Sequence, residues 1–174
     1  MQAPSIPPPP AAAGASQGLW AFSLDLYGRP GVAAACLALQ DGAGADVNLV
    51  LYALWLGLTG RGAFDPACVE RVAPWREQVV LPLRAVRRAL TLRDGFRAQV
   101  KALELEAERR QQAMLEAAAP PPAGDPAPGQ AAANLDRYLG LLARPADPAA
   151  VAVILAALCG PAAAAGDPPP RPSG

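Results

Sequence analysis

The stretch VNLVLYALWLGL, residues 47–58, is the longest apolar run in the chain. It is much shorter than the ~20 apolar residues that a helix needs to cross a bilayer. We therefore expect a helix buried in a protein core and no membrane span. Asp46 directly precedes the run and is suited to cap it, because its carboxylate can accept from the free amides of the first helical turn.

Helix signals precede this segment. Residues 19–27 form a short apolar stretch broken by Gly28 and Pro30, and the sequence VAAACLALQD follows at 32–41. Gly42 and Gly44 can supply the left-handed conformation that commonly ends a helix. Two helices are therefore predicted before residue 46.

Helix signals also follow it. Asp65-Pro66 combines a capping side chain with a residue suited to the first helical position, and Pro74 is predicted to start a further helix in the same way. From there, Trp75, Val79, Leu83, Val86 and Leu90 recur at helical spacing. Pro82 falls inside this pattern and is expected to kink or divide the helix near Gln78.

A long helix is predicted over residues 93–117, with a narrow apolar stripe and charges on its other sides. The stripe consists of Phe96, Val100, Leu103, Ala107 and Met114. Such a helix is expected to project, or to pack as a coiled-coil arm, rather than to lie in the core. Two further helices, around 135–142 and 148–158, are predicted to form a hairpin that docks on the rest of the protein.

The predicted fold is an all-α compact bundle of six or seven helices, because long alternating runs rich in β-branched residues are missing from the sequence. Three proline-rich stretches suggest the division of the chain. We expect a disordered arm at 1–16, a helical body at 17–117, a linker at 118–130, the hairpin at 131–159 and a disordered tail at 160–174.

Composition excludes several classes of function. The chain has no histidine and a formal net charge of zero. The absence of histidine excludes histidine-dependent hydrolases, histidine-ligated metals and haem bound through a proximal histidine. The zero net charge disfavours a nucleic-acid binder, which would normally be basic. The three cysteines are widely spaced, and the single lysine, Lys101, follows no phosphate-binding motif. We therefore predict no metal, no cofactor and, on balance, no enzyme. Because residues 1–17 lack a secretory signal pattern, the expected location is the cytoplasm.

A polar cluster lies between the two central apolar helices, formed by Gln40, Asp41, Asp46 and Asn48. Its carboxylates could chelate a hard cation or act as general acid and base. The simpler interpretation is helix capping by the two aspartates, with Asn48 bonded to a neighbouring backbone group.

Arg84, Arg87 and Arg88 share one face of the predicted helix that follows Pro74. Together they form a candidate anion-binding face. Arg87 falls near the edge of the apolar stripe and should be partly buried, in which case it needs an acceptor. Asp41 and Asp46 are the candidates for that acceptor.

Residues 19–57 resemble the signature of a small proteobacterial family of helical proteins, a domain of unknown function. The shared elements are W-x-F-S-L-x-L-Y, P-G-V, C-L-x-L-Q-D and D-V-N-L-x-L, and residues 74–90 resemble a second block. The resemblance implies an all-helical cytosolic protein. It supplies no activity, cofactor or catalytic residue to carry over, but its motif includes Gln40, Asp41, Asp46 and Asn48.

These observations favour a non-catalytic accessory or adaptor protein that offers a helical groove, or the helix at 93–117, to another protein. The alternative is an enzyme or a metal- or ligand-binding site built on Asp41, Asp46, Asn48 and Arg87. A third hypothesis is a pocket for an apolar small molecule between the tryptophan-bearing helices.

Overall fold

The computed structural model describes residues 18–91 and 95–159, and within these ranges the regular structure is entirely helical, as predicted. The helices are α1 (Leu19–Tyr27), α2 (Val32–Ala43), α3 (Val47–Leu58), α4 (Ala67–Trp75), a π-helical segment (Arg76–Val80), α5 (Leu81–Ala89), α6 (Gly95–Ala118), α7 (Pro128–Leu139) and α8 (Pro148–Cys159). Because α4, the π segment and α5 are continuous, the described residues contain seven separate helices. This number agrees with the predicted six or seven.

Helix α3 is the centre of the bundle, and every residue from 48 to 57 is buried. Its N-cap is Asp46, whose Oδ1 accepts from the backbone N–H of Asn48 at 2.9 Å, as predicted. Helices α1, α2, α6 and α7 surround it, and α7 makes the most extensive contact. Within the described ranges, no helix is both long and apolar enough to cross a membrane.

The prediction of a helix start at Pro74 is wrong, because α4 begins at Ala67 and continues through Pro74. Val72 and Val80 are buried in this rod, and their packing outweighs the hydrogen bond that Pro74 cannot make. The expected irregularity before Pro82 takes the form of the π segment, where the N–H of Leu81 donates to the carbonyl of Arg76, five residues back. This wider turn lets the rod continue past Pro82 without ending.

Helix α6 does not project as an arm. It packs against α1, α3, α4, the π segment and α5. Of the predicted stripe, Val100 and Ala107 are buried, whereas Phe96 and Leu103 are each 57% exposed and Met114 is also exposed. The residues that α6 buries are Val100, Glu104, Ala107, Gln111, Gln112 and Leu115. The buried face therefore contains three polar side chains, whose partners are described in the next section.

The C-terminal helices pack separately on the bundle, α7 against α3 and α8 against α2. Helix α7 begins at Pro128, inside the stretch predicted as a linker. The residues before it are attached to the end of α3, because Ala123 and Gly124 donate backbone N–H groups to the carbonyl of Gly60, and Ala127 donates to Gly57. The proposed arm at 1–16 and tail at 160–174 lie outside the described residues.

A substitution at Gly57 tests the contact between α3 and α7. A Cβ added there would lie 2.2 Å from the backbone N of Ala131, so Gly57→Ala must force the two helices apart. We expect a loss of about 2 kcal/mol in the free energy of unfolding, measured by urea denaturation.

The matched control is Gly42→Ala in α2, where a Cβ meets nothing within 4 Å. This change should be neutral or stabilise by up to about 1 kcal/mol, because alanine favours helix more than glycine does. Equal effects of the two substitutions would contradict the close approach of α3 and α7.

Candidate functional site

The carboxylate of Asp46 is the centre of a buried polar network. Besides capping α3, its Oδ2 accepts from Nε2 of Gln111 at 2.6 Å and lies 3.2 Å from Nε of Arg76. The backbone N–H of Asp46 donates to the hydroxyl of Tyr138 at 2.7 Å. One residue thus connects the start of α3 to α6, to the π segment and to α7. Burial raises the pKa of Tyr138, so that its hydroxyl stays neutral.

Three amide side chains extend this network away from Asp46. Nδ2 of Asn48 donates to Oε1 of Gln111 at 3.1 Å, and Nε2 of Gln112 donates to Oδ1 of Asn48 at 2.9 Å. All three residues are buried. A carboxylate can only accept, so Gln111 must present its N–H₂ group to Asp46, and each following amide is oriented in turn.

This chain of amides ends in an acceptor. Oε1 of Gln112 has no hydrogen-bond partner among the described residues, although Gln112 is only 2% exposed. The hydroxyl of Ser23 on α1 is also buried and has none. Leu19, one turn before Ser23, donates its backbone N–H to Glu116, one turn after Gln112. Both open groups therefore belong to the α1–α6 side of the bundle. Buried polar atoms without partners are rare in proteins, because leaving them unsatisfied costs about 1–3 kcal/mol.

A second network joins α5 to α6 and α2. Arg84 donates from Nε to Glu104 at 2.9 Å, from Nη2 to Glu108 at 2.5 Å and from Nη1 to Oε1 of Gln40 at 2.7 Å. Arg87 bonds both oxygens of the Glu104 carboxylate. Arg84 and Arg87 therefore already bind carboxylates of their own chain.

The predicted partners of Arg87, Asp41 and Asp46, are wrong. Arg87 is partly buried as expected but pairs with Glu104 of α6, because α6 follows α5 directly and packs against it. Asp41 instead lies 3.3 Å from Arg88 in a surface pair in which both side chains are more than half exposed. Such pairs contribute little to stability.

The pKa values of Glu104 and Glu108 shift in opposite directions. Burial opposes ionisation of Glu104, but the hydrogen bonds from Arg87 and Arg84 outweigh it and hold the pKa below its ordinary 4.5. For Glu108, burial is the larger effect and raises the pKa despite Arg84. Glu104 therefore keeps its negative charge to a lower pH than Glu108 does.

A cavity of about 330 Å³ lies between these networks. Its apolar lining comes from Trp20, Leu24, Leu37, Val47, Leu51 and Leu105, and its polar lining from Ser23, Tyr27, Gln40, Asn48, Arg84, Arg87, Arg88, Lys101, Glu104, Glu108 and Gln112. Ser23 and Gln112, the two residues with unpartnered polar atoms, are thus both part of its lining. Of the tryptophans, Trp20 lines it, whereas Trp55 and Trp75 do not. The lining includes residues of α1 and α3, two of the three tryptophan-bearing helices.

The cavity brings together part of the predicted cluster. Gln40, Asn48 and the three arginines line it, whereas Asp41 and Asp46 do not. The side chain of Asn48 forms hydrogen bonds with Gln111 and Gln112. The predicted bond to a neighbouring backbone group is therefore replaced by bonds to two side chains of α6. Among the residues that the structure describes, no group of three or more acidic or cysteine side chains is arranged to hold a metal ion.

Several residues of these networks were not predicted from the sequence. Gln111, Gln112 and Glu104 lie on α6, and Arg76 begins the π segment. The available signal was the spacing of polar residues on α6, since Glu104 and Gln111 lie at helical intervals from Val100 and Leu115. The apolar stripe of the same helix outweighed that signal.

Comparison with known families gives a single result. Residues 18–115 match the family described as a protein of unknown function, DUF2390. The chain belongs to this family. All residues that line the cavity lie within the DUF2390 region, whereas α7, α8 and Tyr138 lie beyond it. Comparisons with curated proteins and with solved structures gave no significant match.

The opposite pKa shifts generate a test by pH. Stability from Glu104 is fully present above pH 4.5 and is lost as the pH falls through the lower folded-state pKa. We expect Glu104→Gln to cost about 2–3 kcal/mol at pH 7, because it leaves Arg84 and Arg87 without that charge, and to cost less at acid pH. Denaturation curves between about pH 3 and 7 measure this.

Glu108→Gln is the matched control. Because the folded-state pKa of Glu108 is raised above 4.5, protonation stabilises the fold as the pH falls through that value. The variant should lack this gain and should cost less than Glu104→Gln at pH 7, since Glu108 bonds only Arg84. The same pH profile for both variants would contradict the assignment.

Proposed function

We propose that this DUF2390 protein is a non-catalytic binding module whose binding site is the cavity between α1, α2, α3, α5 and α6. The observation that carries the proposal is that two residues with buried, unpartnered polar atoms, Ser23 and Gln112, line a cavity together with six apolar side chains. Ligand sites in proteins typically combine a largely apolar lining with a few polar groups that fix orientation. A ligand that reaches these groups satisfies hydrogen bonds that the fold leaves open.

The charged side chains support binding rather than catalysis. Glu104 and Glu108 are bonded to arginines, which leaves them poorly placed to act as a free acid or base. Burial raises the pKa of Cys36 to about 11 and that of Cys68 to about 12, so both thiols are poor nucleophiles at neutral pH. The alternative site on Asp41, Asp46, Asn48 and Arg87 lacks support, because only Asp46 and Asn48 share a network, whereas Arg87 pairs with Glu104 and Asp41 with Arg88.

Some of the apolar side chains that line the cavity are also exposed at the protein surface. Leu24, Leu37 and Leu105 line the cavity and are each about half exposed. Exposed leucines grouped around a cavity mouth are suited to receive an apolar group. The same feature accommodates an apolar side chain of a protein partner, which is the form that the adaptor hypothesis takes on this surface.

Binding of a neutral apolar dye, N-phenylnaphthylamine, tests this function. We expect saturable fluorescence enhancement with the full chain, and we expect Leu105→Gln to weaken dye binding about fivefold because it removes roughly 1 kcal/mol of apolar contact. Leu103→Gln is the matched control. Leu103 lies two positions away on the same helix and is similarly exposed, but it does not line the cavity.

Leu103→Gln should bind the dye like the unmodified protein. Absence of saturable binding, or equal losses for the two variants, would overturn the assignment of the cavity as the binding site. A thermal melt of each variant confirms that both are folded.

A further inference from the structure

The lining of the cavity extends along two helices. Helix α6 contributes Lys101, Glu104, Leu105, Glu108 and Gln112, which form one continuous face of the helix. Lys101 and Gln112 are eleven residues apart, which corresponds to about 16 Å along a helix axis. Helix α1 contributes Trp20, Ser23, Leu24 and Tyr27, again one face. The lining therefore runs along two helices, with different chemistry at its two ends.

At one end of the lining, Gln112 carries an acceptor without a partner. The orientation of the amide chain is fixed by the Asp46 carboxylate, so Gln112 presents Oε1, an acceptor, to whatever lies beyond it. The Ser23 hydroxyl can donate or accept. A ligand hydroxyl or N–H group satisfies Gln112 and can bond Ser23 as well.

Positive charge exceeds negative charge in the lining, and Lys101 lies at the opposite end of the α6 face from Gln112. Four cationic side chains line the cavity against two carboxylates, Glu104 and Glu108, and both carboxylates are bonded to arginines. Arg88 has only a surface pair with Asp41, and Lys101 has no ion-pair partner among the described residues. A cavity lined by an excess of one charge attracts a ligand of the opposite charge.

Between Lys101 and Gln112 the lining combines the arginine-paired Glu104 and Glu108 with apolar side chains. Leu24, Leu51 and Leu105 come from α1, α3 and α6 and lie in the lining with Trp20 and Val47. These apolar side chains are suited to a hydrocarbon chain, since burial of each methylene contributes about 0.8 kcal/mol.

From this arrangement we infer that the cavity binds an elongated amphipathic small molecule: an apolar chain with an anionic group at the Lys101–Arg88 end and a hydroxyl or N–H donor at the Gln112–Ser23 end. The inference rests on the proposed function, because it specifies the ligand of the same cavity. A free ω-hydroxy fatty acid is the simplest molecule with these three features.

Three probes of equal chain length separate the features. The probes are ω-hydroxydecanoate, decanoate and the α,ω-diol of decane, titrated into the full chain by calorimetry at low salt. We expect ω-hydroxydecanoate to bind about fivefold to tenfold more tightly than decanoate, which lacks the donor, since a hydrogen bond contributes about 1 kcal/mol. It should also bind several times more tightly than the diol, which lacks the charge.

Variants assign each preference to its residues. Lys101→Gln should bring the acid-to-diol affinity ratio close to one and leave the preference for the hydroxyl unchanged. Its control is Arg110→Gln, an exposed cation on the same helix that does not line the cavity and should change neither ratio. Gln112→Met should remove the preference for the hydroxyl.

Because Gln112→Met also removes a donor to Asn48 and can weaken the fold, Ser23→Ala is the second variant for this end. It deletes one open group without breaking a bond between described residues, and it should reduce the preference for the hydroxyl. Each readout is a ratio of affinities on one protein sample, so partial unfolding cancels.

The outcomes separate the two proposals. If all three chains bind with equal affinity, the cavity is an apolar site and the ligand class inferred here is wrong, while the proposed function stands. If none of them binds and the neutral dye also fails, the cavity holds only solvent and both proposals are wrong. Unchanged ratios in Lys101→Gln and Ser23→Ala would likewise refute the inference.

Discussion

The buried carboxylate of Asp46 determines how the rest of the bundle is arranged. It caps α3, accepts from Gln111 of α6 and pairs with Arg76 of the π segment, while the backbone N–H of the same residue bonds Tyr138 of α7. A charge that leaves water costs several kcal/mol unless it is paired and hydrogen-bonded. Every helix that reaches Asp46 must therefore present a polar group at that point, and its rotation about its own axis is set by this requirement.

The unusual face of α6 follows from this constraint. To bring Gln111 and Gln112 to Asp46 and Asn48, the helix must turn these amides inward, and Phe96 and Leu103 then face outward. The same rotation places Glu104 and Glu108 against the arginines of α5. The mixed lining of the cavity, partly apolar and partly polar, originates in a helix that is positioned by hydrogen bonds rather than by its apolar stripe.

The features that could be predicted from the sequence depend on neighbouring residues. The burial of α3, its cap at Asp46 and the left-handed Gly44 that ends α2 are local consequences of residue type. The features that were not predicted depend on contacts between residues that are distant in the sequence. Arg87 pairs with Glu104 rather than with the aspartates near α3. The α4 helix continues through Pro74 because packing outweighs a missing hydrogen bond. The unpartnered oxygen of Gln112 follows only from the order of a chain of hydrogen bonds between α3 and α6, which no periodicity encodes.

The bond between Asp46 and Tyr138 joins the DUF2390 region to a helix that lies outside it. Helix α7 covers α3 with Leu135 and Tyr138 and approaches it closely at Gly57. A fragment cut at the boundary of the shared region would thus expose a hydrophobic central helix and orphan an amide at its start. The DUF2390 region and the length of chain that encloses α3 therefore differ, and the second contains the first.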